Sequence, residues 1–186
     1  MDRARIQQYG DELYQALKSV STVEPLTNRE SDITVEDAYQ IQLHMIGRRI
    51  REDGETHVGK KIGVTSKAVM DMLGVHTPDF GHLTSAMVYN DGDAVPVNTL
   101  VAPRAEGEIA FVLGRDLAGP GVTPADVLRA TAYVMPCFEI VDSRIKDWKI
   151  KIQDTVADNA SSGVFTLGGQ AVKPDAVDLK TCGMVL

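Results

Sequence analysis

An α+β fold, with helices first and a largely β core afterwards, is predicted by three observations. Apolar residues recur at helical spacing in the first 56 residues. Beyond residue 56 they fall into short extended runs separated by turn residues. Helices followed by strands, rather than alternating with them, point away from a parallel βαβ layout and toward a roll or distorted barrel.

In chain order, Ile6, Tyr9, Leu13 and Leu17 form the apolar stripe of a first helix. Residues 25–32 are polar and turn-rich and read as a connection. Thr34 followed by Asp37 resembles a capping box, and Ala38, Ile41 and Met45 then mark one face of a helix running to about Arg51 and closed by Gly54. Residues 57–64 read as a strand, Ser66 as the cap of a short helix through Leu73, and residues 87–89 as a strand ended by Asn90-Asp91-Gly92. Thr77-Pro78-Asp79-Phe80-Gly81 reads as a turn, with Asp79 bonding neighbouring amides.

Residues 104–113 alternate cleanly, with Ala105, Gly107, Ile109, Phe111 and Leu113 on one side and Glu106, Glu108, Ala110 and Val112 on the other. Thr123-Pro124-Ala125-Asp126 opens a helix with a cap, an N1 proline and an acidic third position. Strands are expected over 133–141, 163–167 and 182–186. The last reads as a strand with nothing after it to turn or pair it, so the chain is expected to be a fragment lacking a C-terminal part. With 186 residues there is room for one core. The expected layout is a helical region over 1–56 and a β-rich catalytic core over 57–186, within one structural domain.

Composition excludes several classes. A net charge of -7, from 19 Lys plus Arg against 26 Asp plus Glu, lacks the basic footprint that phosphate binding needs, so nucleic-acid partners are not expected. The sequence has no run of about 20 apolar residues and no apolar segment with a cleavage site at its start, so a cytoplasmic protein without a membrane span is expected. Cys137 and Cys182 form no C-x-x-C pair and read as small buried apolar residues. The four histidines have no metal-ligand spacing. Neither a G-x-S-x-G elbow, a Walker loop nor a dinucleotide fingerprint occurs.

Glu106-Gly107-Glu108 carries the most chemistry. Residues i and i+2 of a strand share a face about 6.6 Å apart, so two carboxylates can close on one cation, although a solvated polar face explains the tripeptide as well. Glu139 lies in the otherwise apolar Phe138-Glu139-Ile140-Val141 and needs a partner if buried. That partner is a metal, or a basic group such as Arg104 or Arg144. Three carboxylates favour a hard, oxygen-loving ion, Mg2+ or Mn2+. One of Lys60 and Lys61 must face inward from its strand, where it could act as an acid or base. Two solvated lysines on an edge strand explain the pair equally. Asp158-Asn159-Ala160-Ser161-Ser162-Gly163 is a polar loop suited either to an anionic ligand or simply to capping and turn formation.

The runs Gly59-Lys60-Lys61-Ile62-Gly63-Val64-Thr65-Ser66, Pro78-Asp79-Phe80-Gly81, Pro103-Arg104-Ala105-Glu106-Gly107-Glu108, Phe138-Glu139-Ile140-Val141-Asp142-Ser143-Arg144 and Val156-Ala157-Asp158-Asn159-Ala160-Ser161 together resemble the 2-hydroxypenta-2,4-dienoate hydratases of the fumarylacetoacetate hydrolase superfamily. The resemblance implies Glu106, Glu108 and Glu139 as metal ligands for Mg2+ or Mn2+, and Lys61 rather than Lys60 as active-site lysine. It implies Asp79 as an acidic residue near substrate and Ser161 in the substrate loop. It further implies a 2-hydroxy-dienoate or 2-oxo acid substrate, a homo-oligomer and a complex with 4-oxalocrotonate decarboxylase. Alternatives are a related 4-oxalocrotonate decarboxylase, or an inactive scaffold that binds the decarboxylase.

Overall fold

A computed structural model describes residues 1–185, with the side chains of Met72 and Leu73 left aside. The expected α+β class is what the chain adopts. Two compact units emerge, one of Met1–Val88, Pro96–Arg104 and Ile140–Val164, the other of Tyr89–Val95, Ala105–Glu139 and Phe165–Leu186.

The first unit is built on α1 (Arg3–Ser19), α2 (Leu26–Arg29) and α3 (Val35–Glu52). The capping box of α3 forms as its sequence predicts: Asp37 N–H donates to Thr34 Oγ1 at 3.1 Å and Thr34 N–H to the Asp37 carboxylate at 3.1 Å. The stripes of α1 and α3 meet, and Tyr9, Leu13, Ile41, Met45 and Ile46 form a buried core with Ile145, Val156 and Ala157. Each fully buried Leu or Ile contributes about 1.5–3 kcal/mol relative to exposure.

α2 and the short α6 (Ile152–Ala157) have too few residues to show a periodicity and were not legible in the sequence. They are tied by Asp154, which accepts from Thr27 N–H (3.1 Å), Thr27 Oγ1 (2.8 Å) and Lys151 N–H (3.0 Å). β1 (His57–Gly63) and β2 (Asp79–Thr84) pair antiparallel, with Lys61 opposite Gly81 and Gly63 opposite Asp79. Between them α4 (Lys67–Leu73) is capped by Ser66, as expected. The turn expected around Asp79 is corrected: Asp79 begins a strand, because pairing with β1 overrides the turn preference of Pro78-Asp79.

A four-stranded sheet has the order β3-β6-β5-β4, comprising β3 (Val88–Tyr89), β4 (Arg104–Leu113), β5 (Thr131–Val141) and β6 (Ser162–Leu167). In the second unit, α5 (Pro124–Ala130) links β4 to β5 with the capping box that Thr123 and Asp126 predict. The strand expected over 182–186 does not form over residues 182–185, and Leu186 lies outside the described residues. There Met184 instead lies against Gly107, where a Cβ would meet its sulfur at 2.6 Å. Cys137 is half-buried, but Cys182 is exposed, against expectation. Among the described residues no helix is long and apolar enough to cross a membrane.

Candidate active site

In the second unit, strand alternation puts Glu106 and Glu108 on one face of β4, and the sheet order sets β5 beside it. Glu106, Glu108 and Glu139 each offer a carboxylate oxygen, and these atoms lie within 4.8 Å of one another. Glu106 and Glu108 are exposed, and Glu139 is 7% exposed. Carboxylates this close repel unless a cation or protons sit among them, and an all-oxygen donor set fits a hard divalent ion. Both arginines weighed as partners of Glu139 have other engagements. Arg104 lies 4.3 Å over the Trp148 ring, and Arg144 Nε donates to Asp158 at 2.6 Å. Burial, then Glu139 and Glu108, push the neighbouring Cys137 thiol up to about 11, so it stays neutral.

In the first unit, the β1–β2 register puts Lys61 and Asp79 on the same face of the hairpin. A Cβ on Gly63 would run into the Asp79 carboxylate and lie 3.6 Å from Lys61 Nζ. Asp79 is 4% exposed, and neither of its carboxylate oxygens has a well-aligned hydrogen bond among the described residues. Burial pushes its pKa up, while Lys61 and the backbone N–H groups of Asp79 and Gly63 pull it down. Lys60 lies on the other face, its ammonium 4.7 Å over the Phe80 ring, which stacks on Tyr39 at 4.6 Å. His82 shares that face. Burial first, then Lys60 and His57, lower its pKa to about 4 and keep it neutral.

The polar loop after α6 is buried. Ser161 is 4% exposed and its Oγ has no hydrogen-bond partner among the described residues. Asn159, Ala160 and Ser161 all have positive φ, at 56°, 52° and 51°. That conformation costs L-residues roughly 1–2 kcal/mol each and persists only when neighbours hold it. What holds it is a buried ionic network absent from the sequence reading. Arg144, 1% exposed, donates through Nε to Asp158 (2.6 Å), through Nη2 to the Asp158 carbonyl (2.7 Å) and through Nη1 to the Ser162 carbonyl (3.0 Å). Asp142 lies 3.8 Å from Arg144 and accepts from the N–H groups of Val101 (3.0 Å) and Ala102 (2.7 Å), just before β4. Asp142-Ser143-Arg144 and Asp158-Asn159 stood out in the sequence only as parts of longer motifs. Their pairing spans 14 residues and no local pattern announces it.

No protein-family model matches the chain. Its fold does match solved structures. The 4-oxalocrotonate decarboxylase from Pseudomonas putida G7, complexed with magnesium and adipate, superposes with a TM-score of 0.92 at 36% identity, over 97% of this chain and 68% of that one. The same enzyme complexed with calcium and acetate gives 0.90 at 35% identity. The chain thus has the fumarylacetoacetate hydrolase-like fold. In sequence it is 66% identical to a 2-hydroxypent-2,4-dienoate hydratase of Pseudomonas putida, over all of this chain and 84% of the relative. It is 60% identical to a 2-hydroxyhexa-2,4-dienoate hydratase of Comamonas testosteroni, over 98% of this chain and 70% of the relative. The chain belongs to the 2-hydroxypenta-2,4-dienoate hydratase family.

Proposed function

We propose that this protein adds water to 2-hydroxypenta-2,4-dienoate to give 4-hydroxy-2-oxopentanoate, as a hydro-lyase of meta-cleavage aromatic catabolism. The observation that carries the reading is the convergence of Glu106, Glu108 and Glu139 within 4.8 Å in a chain 66% identical to a hydratase of that substrate class. These three residues would hold Mg2+ or Mn2+, and a divalent ion bound there would supply positive charge that stabilises negative charge developing on such a substrate. Lys61 and Asp79 handle the protons. One proton reaches C5 as the 2-hydroxyl loses its own, giving a 2-oxo-3-enoate; hydroxide then adds at C4 and a proton at C3. Ser161 Oγ, held by its loop, is a hydrogen-bonding group for the substrate.

The decisive experiment follows loss of diene absorbance with Mg2+ or Mn2+, a chelator control and product identification. Chelator-sensitive formation of 4-hydroxy-2-oxopentanoate is expected. Release of CO2 from 4-oxalocrotonate with no hydration of the dienoate would move the assignment to the decarboxylase, a reading supported by the 36% identical structural neighbour. No turnover of either substrate, with retention of the decarboxylase on size-exclusion, would favour the scaffold. The reading extends to a cytoplasmic homo-oligomer that associates with that decarboxylase. Its support is the family resemblance, and sedimentation with and without the decarboxylase tests it.

Replacing Lys61 with Ala is expected to lower kcat by about 10²- to 10⁴-fold, the usual contribution of a positioned acid or base. Calorimetric Mn2+ binding should hardly change; unaltered turnover would remove Lys61 from the proton path. Because burial raises the Asp79 pKa, the limb of the pH–rate profile that Asp79 sets should lie above the ordinary carboxylate range. Asp79→Asn should erase that limb, and a limb surviving the change belongs to another group.

A further inference from the structure

We propose that Asn159 is a positioning residue that fixes Asp79 and Ser161 relative to each other, an inference that rests on the hydratase reading above. β2 has a partner strand, β1, on one side. On its other side the Asn159 carboxamide does a strand's work. His82 N–H donates to Asn159 Oδ1 at 2.7 Å, and Asn159 Nδ2 donates to the His82 carbonyl at 2.9 Å. This is the reciprocal pair of bonds that an antiparallel neighbour would give. Asp79 lies three residues before His82 on that strand, and Ser161 two residues after Asn159.

The clamp is tied down at both ends. Gly81 lets the loop come close, since a Cβ there would meet the Asn159 carbonyl at 2.5 Å. Ser162 Oγ donates to that same carbonyl at 2.7 Å, Ser161 N–H donates to the Asp158 carbonyl at 3.0 Å, and Arg144 Nε donates to the Asp158 carboxylate at 2.6 Å. Few residue types can replace Asn159. The site needs a donor and an acceptor on one short side chain, on a residue with φ of 56°, a conformation that Asn tolerates and most residues do not. An ionised Asp supplies the acceptor alone. Gly supplies the conformation alone, but leaves room for water to serve His82.

The test compares the unaltered chain with Asn159→Gly and Asn159→Asp, all with Mg2+. Asn159→Gly is expected to fold and to lose about 10²-fold in kcat, the order of effect that a displacement near 1 Å produces, with KM within about threefold. Asn159→Asp should fall between the two. The second readout is the 13C-detected titration of the Asp79 carboxyl, whose charged or titratable neighbours are Lys61 on β1 and Tyr39 on α3. Releasing β2 admits water, so this titration should move down toward the ordinary carboxylate range in Asn159→Gly, whereas the carboxylate added by Asn159→Asp opposes that fall. A folded Asn159→Gly with kcat near that of the unaltered chain and an unmoved Asp79 titration would overturn the proposal. If the unaltered chain does not hydrate the dienoate, the hydratase reading fails, and the Asp79 titration alone decides whether Asn159 positions it.

Discussion

Glu108→Gln is expected to weaken Mn2+ binding by more than about 10²-fold and to cut turnover at limiting metal by about 10³-fold. Substitutions outside the ligand set of metal sites already cost 10- to 100-fold in affinity, and a ligand itself exceeds that. Glutamine keeps the shape and one oxygen of the side chain, so what is removed is a unit of charge from three carboxylates within 4.8 Å. The sign of the stability change separates this from damage to the fold. Without metal the three carboxylates repel, so the metal-free variant should melt no lower than the metal-free parent, and the gain in melting temperature on adding Mn2+ should shrink. Exposed Glu36, in the first turn of α3, provides a control whose change to Gln should leave metal binding alone. Full metal-dependent activity in Glu108→Gln would sink the ligand assignment.

The sequence was most legible where physics is local. The capping boxes at Thr34 and Thr123, the alternation of 104–113 and the stripe of α1 all depend on residues three or four apart, and all appear as expected. The shared face of Glu106 and Glu108 follows from strand period alone. Their meeting with Glu139 depends on β4 and β5 being neighbours, which no local pattern states. The same limit explains β2. Pro78-Asp79-Phe80-Gly81 has turn chemistry, yet a register with β1 and the carboxamide of Asn159, 77 residues from His82, make it a strand. The tail over 182–185 fails the other way: its β-forming residues find no partner strand among the described residues. Lys60 and Lys61 could not be told apart as neighbours in a strand, whereas pairing sends Lys61 toward Asp79 and Lys60 onto Phe80.

Arg144→Met carries the largest expected loss of stability, about 3–5 kcal/mol in denaturant unfolding. That is the usual consequence of removing one member of a buried ion pair. The size follows from what is left behind rather than from what is lost. Asp158 is wholly buried and Asp142 is 1% exposed. Without the guanidinium, Asp158 keeps, among the described residues, the Arg144 backbone N–H at 2.9 Å and Ser143 Oγ at 3.4 Å. Burial already pushes the Asp158 carboxyl up, and Arg144 is the main group opposing it. In the variant its folded-state pKa should therefore rise further above the unfolded value. The folded state then binds more protons than the unfolded state over the interval between the two, so stability falls as pH rises through that interval. The deficit should be smaller at pH 5 than at pH 8, and adding Asp158→Asn should recover part of it at pH 8 by removing the stranded charge. A deficit that is the same at both pH values and is not reduced by the second substitution would mean that Arg144 contributes through packing. The three left-handed residues Asn159, Ala160 and Ser161 would then be held by the hydrogen bonds of their own loop.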